Sequence, residues 1–388
     1  MTMPVTGLNP RVLRWARERA GFDTGDIARA LKKDIGIIEG WESGTSSPTY
    51  AQLEKLAYQF YRRPLALFFF PEPPTERIPT QEFRTLPEFE VHNFSSDTLY
   101  ALRQAEAMQL ALKELNDGVN PSPDKIFRDI ITQASMSPRH LAETVREYLR
   151  ITPQMQESWK NAEDAHEHWR ALIQDKGIFV FKRSFKQRDL SGFCLVDPEY
   201  PVIYLNNSTA PSRQSFSLFH ELAHILLHTS GVTKQNDRFI DSLTGTAKEI
   251  EVFANQFTAE CLVPSRDFEQ FLRRGPYDDQ FLGDLADRYR VSREVILRKL
   301  LDWGLVERAF YEEKAEEWTK QYEKSRGKSK GGNYYATQAT YLGEKYLQLV
   351  FGKYYQGSYG VEQLADYLNV KVQNVAGLEQ FVLKGATV

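Results

Sequence analysis

Apolar residues recur along this chain in two rhythms, one of helices and one of strands. Over residues 12–57, Leu13, Ala16, Ile27, Ala28, Leu31, Ile38, Trp41, Leu53, Leu56 and Ala57 fall at the spacing of several short amphipathic helices with tight connections. This pattern predicts a helix-turn-helix bundle. Between 177 and 205 the rhythm shortens to runs rich in β-branched and aromatic residues, Gly177–Phe181, Gly192–Val196 and Pro201–Leu205, the last closed by the Asn206-Asn207 turn. These predict three strands of a small sheet. Helical spacing then returns twice. Phe216, Phe219, Ala223, Leu226 and Leu227 lie between Pro211-Ser212 and Gly231, which read as start and stop signals. Ile250, Phe253, Ala254, Phe257 and Cys261 follow Thr246-Ala247-Lys248-Glu249, a predicted capping box, and end at Pro264. A helix-turn-helix rhythm is expected again from the spacing of Leu285 to Leu300, and further helices from Leu342 to Val372.

The expected organisation is multidomain and mainly α with a small β-sheet. It comprises a helix-turn-helix bundle over 1–75 and a proline-rich linker with a helical connecting region over 76–160. An α+β domain over 161–310, a charged, solvated linker over 311–332 and a small helical C-terminal domain over 333–388 complete it.

The chemistry concentrates in His220-Glu221-Leu222-Ala223-His224. Histidines four apart lie one above the other on a helix face, so both imidazoles can reach one ion at about 2.0–2.1 Å. Glu221 sits about 100° further round. It cannot share that coordination position, but it can overhang the open one, where a water binds, as the general base of a zinc peptidase. His228 lies about 12 Å along the axis from His220, too far to close on the same ion. It is read as a packing or substrate-side histidine. The extended motif with a third histidine is absent, because Ser230 stands six positions beyond His224.

A catalytic zinc normally has three protein ligands. Glu251 is the best candidate for the third, ahead of Glu249, which the capping box would occupy, and Glu260. It lies one step beside the buried stripe of its helix with Asn255 directly above it, and a polar residue so placed can orient a zinc-bound histidine through its other ring nitrogen.

These residues carry a resemblance. The segments S-F-S-L-F-H-E-L-A-H-I-L-L-H from Ser215 and E-V-F-A-N-Q-F-T-A-E-C-L-V-P from Glu251 resemble the two motifs of the ImmA/IrrE family of metallo-endopeptidases. The first glutamate of that family's second motif is its third zinc ligand, which maps onto Glu251. The resemblance covers about residues 165–310; Ala223, Thr258 and Cys261 stand where the family often has glycine, alanine and leucine. It implies a zincin-like domain, a Zn2+ cofactor and a protein substrate, often a transcriptional repressor, cleaved in a stress or mobile-element response. In zincin-like proteases an edge strand binds the substrate as an added strand. Tyr204 and Asn206 are therefore candidates for a substrate groove, or simply the end of a strand.

Near the amino terminus, Trp41-Glu42-Ser43-Gly44 followed by Pro48-Thr49 and Leu53 resembles the XRE (Cro/repressor-like) helix-turn-helix family over about residues 7–72. Such a module would place its second helix in a DNA major groove. That helix, Asp34 to Gly40, has no arginine, lysine, asparagine or glutamine to meet bases or phosphates. Residues 1–75 hold ten lysines and arginines against eight acids, a weak net of +2. DNA binding and protein contact thus both stand open, the second placing Ile35, Ile37 and Glu39 in a homodimer interface or against a partner. The alternative to an enzyme is a helix-turn-helix regulator or antitoxin-like binding protein with a non-proteolytic metal site. Glu221 counts against it, since a structural metal needs no base.

Composition narrows the rest. The net charge of −3 predicts no general affinity for nucleic acid or membranes. Cys194 and Cys261 form no C-x-x-C pair and point to a reducing compartment. Leu65 to Phe70 is the longest strongly apolar run, far short of a membrane span, and the first residues lack a signal-peptide pattern, so a cytoplasmic location is expected.

Overall fold

The computed structural model describes residues 3–76, 94–133, 135–185, 187, 189–234, 240, 243–273, 276–325 and 332–385. The chain divides into two compact units, Met1–Glu82 with Pro87–Gln104, and Phe83–Leu86 with Ala105–Val388. The expected proline-rich linker lies partly outside the described residues.

The first unit is built from short, well-capped helices. Asn9 caps Pro10–Arg19 by accepting from the Arg11 amide at 3.0 Å. Asp23 and Asp26 form a reciprocal capping box on Thr24–Leu31, and Lys32 ends that helix in the left-handed region. Asp34 then caps Ile35–Ser43, which Gly44 terminates at φ +79°. Val12, Leu13, Ala16, Ile27, Ile38, Trp41 and Leu53 meet in one core. Trp41 and Glu42, prominent in the sequence, are architectural here. Trp41 is a core residue, and Glu42 makes a bidentate pair with the buried Arg17 at 2.6 and 2.9 Å.

The second unit is organised around a four-stranded sheet in the order β1-β3-β2-β4: β1 (Phe179–Arg183), β2 (Leu190–Leu195), β3 (Val202–Asn206) and β4 (Val232–Lys234). β1 and β3 run parallel; β2 is antiparallel to both β3 and β4. The first three strands match those expected, while three-residue β4 carried too short a pattern to read. Side chains alternate across the sheet. Val180, Cys194, Ile203 and Leu205 join the core that holds Leu218, Phe219 and Leu222 of the motif helix, Pro211–Leu226. Phe181, Phe193 and Tyr204 form an aromatic cluster of their own.

That cluster corrects one expectation. The C-terminal helices are not a domain apart: Phe181 packs edge-on against Tyr346 at 5.2 Å, and Arg170 donates to the Thr340 carbonyl at 3.1 Å. They belong to the second unit, and they cover aromatic residues of the sheet that would otherwise face water. The expected charged linker also dissolves over 311–325, which lie in a helix, Arg308–Ser325, whose Trp318 is buried beneath the Arg293 guanidinium. Residues 326–331 of that linker lie outside the described residues. The helices Pro138–Leu149 and Ala162–Asp175, within the expected connecting region and at the edge of the expected α+β domain, are also part of this core. Trp169 meets Phe219 of the motif helix at 4.9 Å.

Candidate metal centre

The motif helix begins with Pro211 at its first position, where a missing amide costs nothing. It ends in a Schellman turn. His228 takes the left-handed conformation (φ 55°), its amide donates to the Ile225 carbonyl at 3.0 Å, and the Thr229 amide donates to the His224 carbonyl at 2.8 Å. The expected stop, Gly231, is therefore not what ends the helix. His228 is exposed at the turn, consistent with its exclusion as a ligand. The reversal brings the Thr229 hydroxyl back to within 3.2 Å of His224 Nδ1.

The second helix, Gly245–Leu262, starts earlier than its sequence suggested. Thr244 occupies the cap position without a side-chain hydrogen bond, so Thr246 lies inside the helix and the capping box does not form. Glu251 is nevertheless wholly buried in it. Its Oε2 lies 3.2 Å from His220 Nε2, its Oε1 lies 3.4 Å from His224 Nε2, and the two Nε2 atoms are 3.2 Å apart. One turn on, Asn255 Oδ1 lies 3.0 Å from His220 Nδ1. The competing acids are elsewhere: Glu249 is exposed, and Glu260 is engaged by Lys299 at 2.7 Å and by Ser265 at 2.5 Å. Glu221 is buried beside the cluster.

The protonation pattern follows from these partners. Asn255 Oδ1 can only accept, so His220 Nδ1 carries the hydrogen. The Thr229 hydroxyl donates to the His224 carbonyl at 3.3 Å, so it accepts from His224 Nδ1. Both neutral rings then turn a lone pair on Nε2 toward each other and toward a buried carboxylate. Neither Glu251 oxygen has a hydrogen bond, and contacts of 3.2–3.4 Å are long for a charge-assisted one. The same separations fit a tetrahedron with bonds of about 2.0–2.1 Å, whose edges are roughly 3.3–3.4 Å. His220, His224 and Glu251 also form a group of potential ligand atoms within 4.8 Å of one another. The donor set, its burial and its spacing suit a divalent cation such as zinc. With only protons to balance it, burial pushes the Glu251 carboxyl up, but His224 and His220 outweigh this and bring its pKa down to about 2. Burial pulls His224 down, and the charges of Glu251 and Glu221 with the Glu251 contact raise it above its usual value.

Tyr204 and Asn206 do not line a groove. β3 is interior to the sheet, and both residues are buried. Tyr204 stacks on Phe193 at 5.3 Å, and Asn206 ties strand ends together by donating to the Leu190 carbonyl at 2.7 Å and accepting from the Ser208 amide at 3.1 Å. Sequence reasoning also missed two residues that shape the centre, Thr229 and Gly231. A Cβ on Gly231 would come within 2.3 Å of the His224 ring, so glycine is required for close approach.

Residues 173–301 match the Peptidase_M78 family, the IrrE N-terminal-like domain. This match covers about a third of the chain, and over it the chain is similar to that family. It is similar to the radiation response metalloprotease IrrE of Deinococcus radiodurans, 32% identical over 108 residues, which are 27% of this chain and 32% of that protein. It is also similar to the radiation response metalloprotease IrrE of Deinococcus deserti, 33% identical over 108 residues, 27% of this chain and 38% of that protein. The matched segment thus spans about a third of the length of each curated relative. No helix among the described residues is long and apolar enough to cross a membrane.

Proposed function

We propose that this protein is a zinc-dependent endopeptidase in which His220, His224 and Glu251 hold the metal and Glu221 is the general base. The observation that carries this reading is the convergence of two imidazole lone pairs and a buried carboxylate at the edge lengths of one coordination tetrahedron. Bound there, zinc would supply Lewis-acid polarisation of a peptide carbonyl and acidify an attacking water. The chain's own residues do the rest. Asn255 and Thr229 fix the tautomer and ring plane of the two histidines. Glu221, one residue past His220, takes the proton of the attacking water on its carboxylate and returns it to the leaving amine. Burial of all four side chains removes competing solvent and strengthens each electrostatic contact.

The substrate we propose is a protein, in the first instance a transcriptional repressor cleaved in a stress response or in the switching of a mobile element; the names of the two relatives join metalloprotease to radiation response. The first unit serves as a contact module for a protein partner or a second copy rather than for DNA. Supporting this, Ile35 and Ile37 are exposed on a helix capped by Asp34 and carrying Glu39. A regulator with an inert metal site is the competing reading, and the buried acid beside the ligands is what weighs against it.

The test is Glu221→Gln. The variant should retain its zinc and lose cleavage of a protein substrate, followed by mass spectrometry, by roughly 10²–10⁴-fold. Full activity in the variant would remove Glu221 from the mechanism.

A further inference from the structure

Three helix pairs of this chain are joined by the same turn. Thr24–Leu31 leads into Ile35–Ser43, Asp279–Tyr289 into Arg293–Asp302, and Val361–Tyr367 into Val372–Gly385. In each, a residue other than glycine takes the left-handed conformation: Lys32 (φ 54°), Arg290 (φ 57°) and Asn369 (φ 51°). The following amide then reaches back to an alanine carbonyl. Lys33 donates to Ala28 at 2.9 Å, Val291 to Ala286 at 3.0 Å, and Val370 to Ala365 at 3.0 Å. The alanine is buried in all three pairs, and so is an apolar residue of the second helix, Ile38, Ile296 or Val375. This is a helix-turn-helix, the unit whose second helix can enter a DNA groove.

The three second helices differ in what they offer. Ile35–Ser43 carries none of the side chains that read bases. Arg293–Asp302 is spent on the core, with Val295, Ile296, Leu297 and Leu300 buried. Val372–Gly385 is open along one face: Val372, Gln373, Ala376 and Gln380 recur at helical spacing and are exposed, and exposed Lys371 precedes them. Its other face is fixed by buried Val375 and Leu378, and by Gly377, where a Cβ would come within 2.3 Å of the Tyr335 ring. The open face holds the residue types that a major groove selects. Glutamine pairs bidentately with adenine, lysine meets guanine or phosphate, and the methyl groups of Val372 and Ala376 suit that of thymine.

Glu362 and Asp366 are exposed on the first helix of the pair and offset Lys371. Phosphate attraction is therefore small here, and base edges must carry the recognition. We propose that Val361–Gly385 is a sequence-specific site for double-stranded DNA, with Gln373 and Gln380 reading bases and Lys371 meeting the backbone. The proposal is independent of the metal centre and of what it cleaves.

Selection of random-sequence duplexes on the full chain at low salt should enrich one motif containing A·T pairs, and fluorescence anisotropy on that duplex supplies the rest. Gln373→Ala should bind it about 5- to 100-fold more weakly and relax the preference at one base pair. Lys371→Ala should flatten the slope of log K against log salt by about one. Ala376→Glu, at an exposed position, should abolish binding without lowering the melting temperature, whereas Ile35→Lys with Ile37→Lys should bind as wild type. If Ala376→Glu melts lower, Gln373→Ala and Lys371→Ala decide, and wild-type binding by both overturns the proposal. The absence of any enriched motif, or equal binding by a folded Ala376→Glu, overturns it as well.

Discussion

The His220–Glu251 cluster and the Ile35–Glu39 face depart from ordinary burial in opposite directions. In the first, two histidines and two acids lie inside the second unit, every ligand atom aimed at one point. In the second, Ile35 and Ile37 of a well-capped helix are 48% and 40% exposed. A buried polar group and an exposed apolar pair are the informative exceptions in a folded chain, and each asks for a different complement. The cluster is complete in shape and wants a cation. The helix face is defined only by composition and wants a surface.

The largest effect within this contrast should come from removing a support of the cluster without touching its ligands. Asn255→Ala leaves His220 free to rotate and should weaken zinc binding by about 10–100-fold, measured by competition with a chromophoric chelator. An unchanged affinity would mean that the ring is held by packing alone, as its contact with Phe216 at 6.2 Å would suggest.

A smaller effect should appear when the metal is stripped and a proton replaces it. His224 in the folded chain titrates above its usual value, because Glu251 and Glu221 outweigh the effect of burial. Its contribution to stability is therefore fully present below about pH 6.5 and lost as pH rises through the raised value. Chelator-treated protein should melt lower at pH 8.5 than at pH 6, by about 2–4 °C for each kcal/mol involved, and zinc-loaded protein should not follow it. Equal melting of the stripped protein at both pH values would place no proton between His224 and Glu251.

The smallest effect on stability should come from the exposed face. Ile35→Lys with Ile37→Lys should leave the unfolding free energy within about 0.5 kcal/mol per substitution, since surface changes rarely do more. If that face is a contact surface, the double variant should lose self-association or partner capture in sedimentation experiments. A large drop in stability would instead make the isoleucines part of the fold.

Much of the centre was legible in the sequence, because periodicity carries ligand geometry directly. A four-residue spacing places His220 under His224, and the same spacing places Asn255 over Glu251. Features that depend on where the chain goes next were not legible. The Schellman turn uses a histidine where glycine is usual, so Gly231 read as a stop signal when its actual place is beneath the His224 ring. The capping box failed because the helix began before Thr246, and nothing in Thr244 or Gly245 marks that start. Tyr204 was misjudged because strand order and facing are set by pairing, and β3 became an interior strand only through partners on both sides. The tail read as a separate domain because its apolar spacing does not reveal that it covers the aromatic residues of the sheet.

The central claim is that three buried side chains are the ligands of one zinc ion, and elemental analysis of natively purified protein, wild type beside Glu251→Ala, tests it most directly. The account predicts about one zinc per wild-type chain and its loss or marked weakening in the variant. No metal in the wild type even after zinc is supplied, or equal zinc in both proteins, would contradict it.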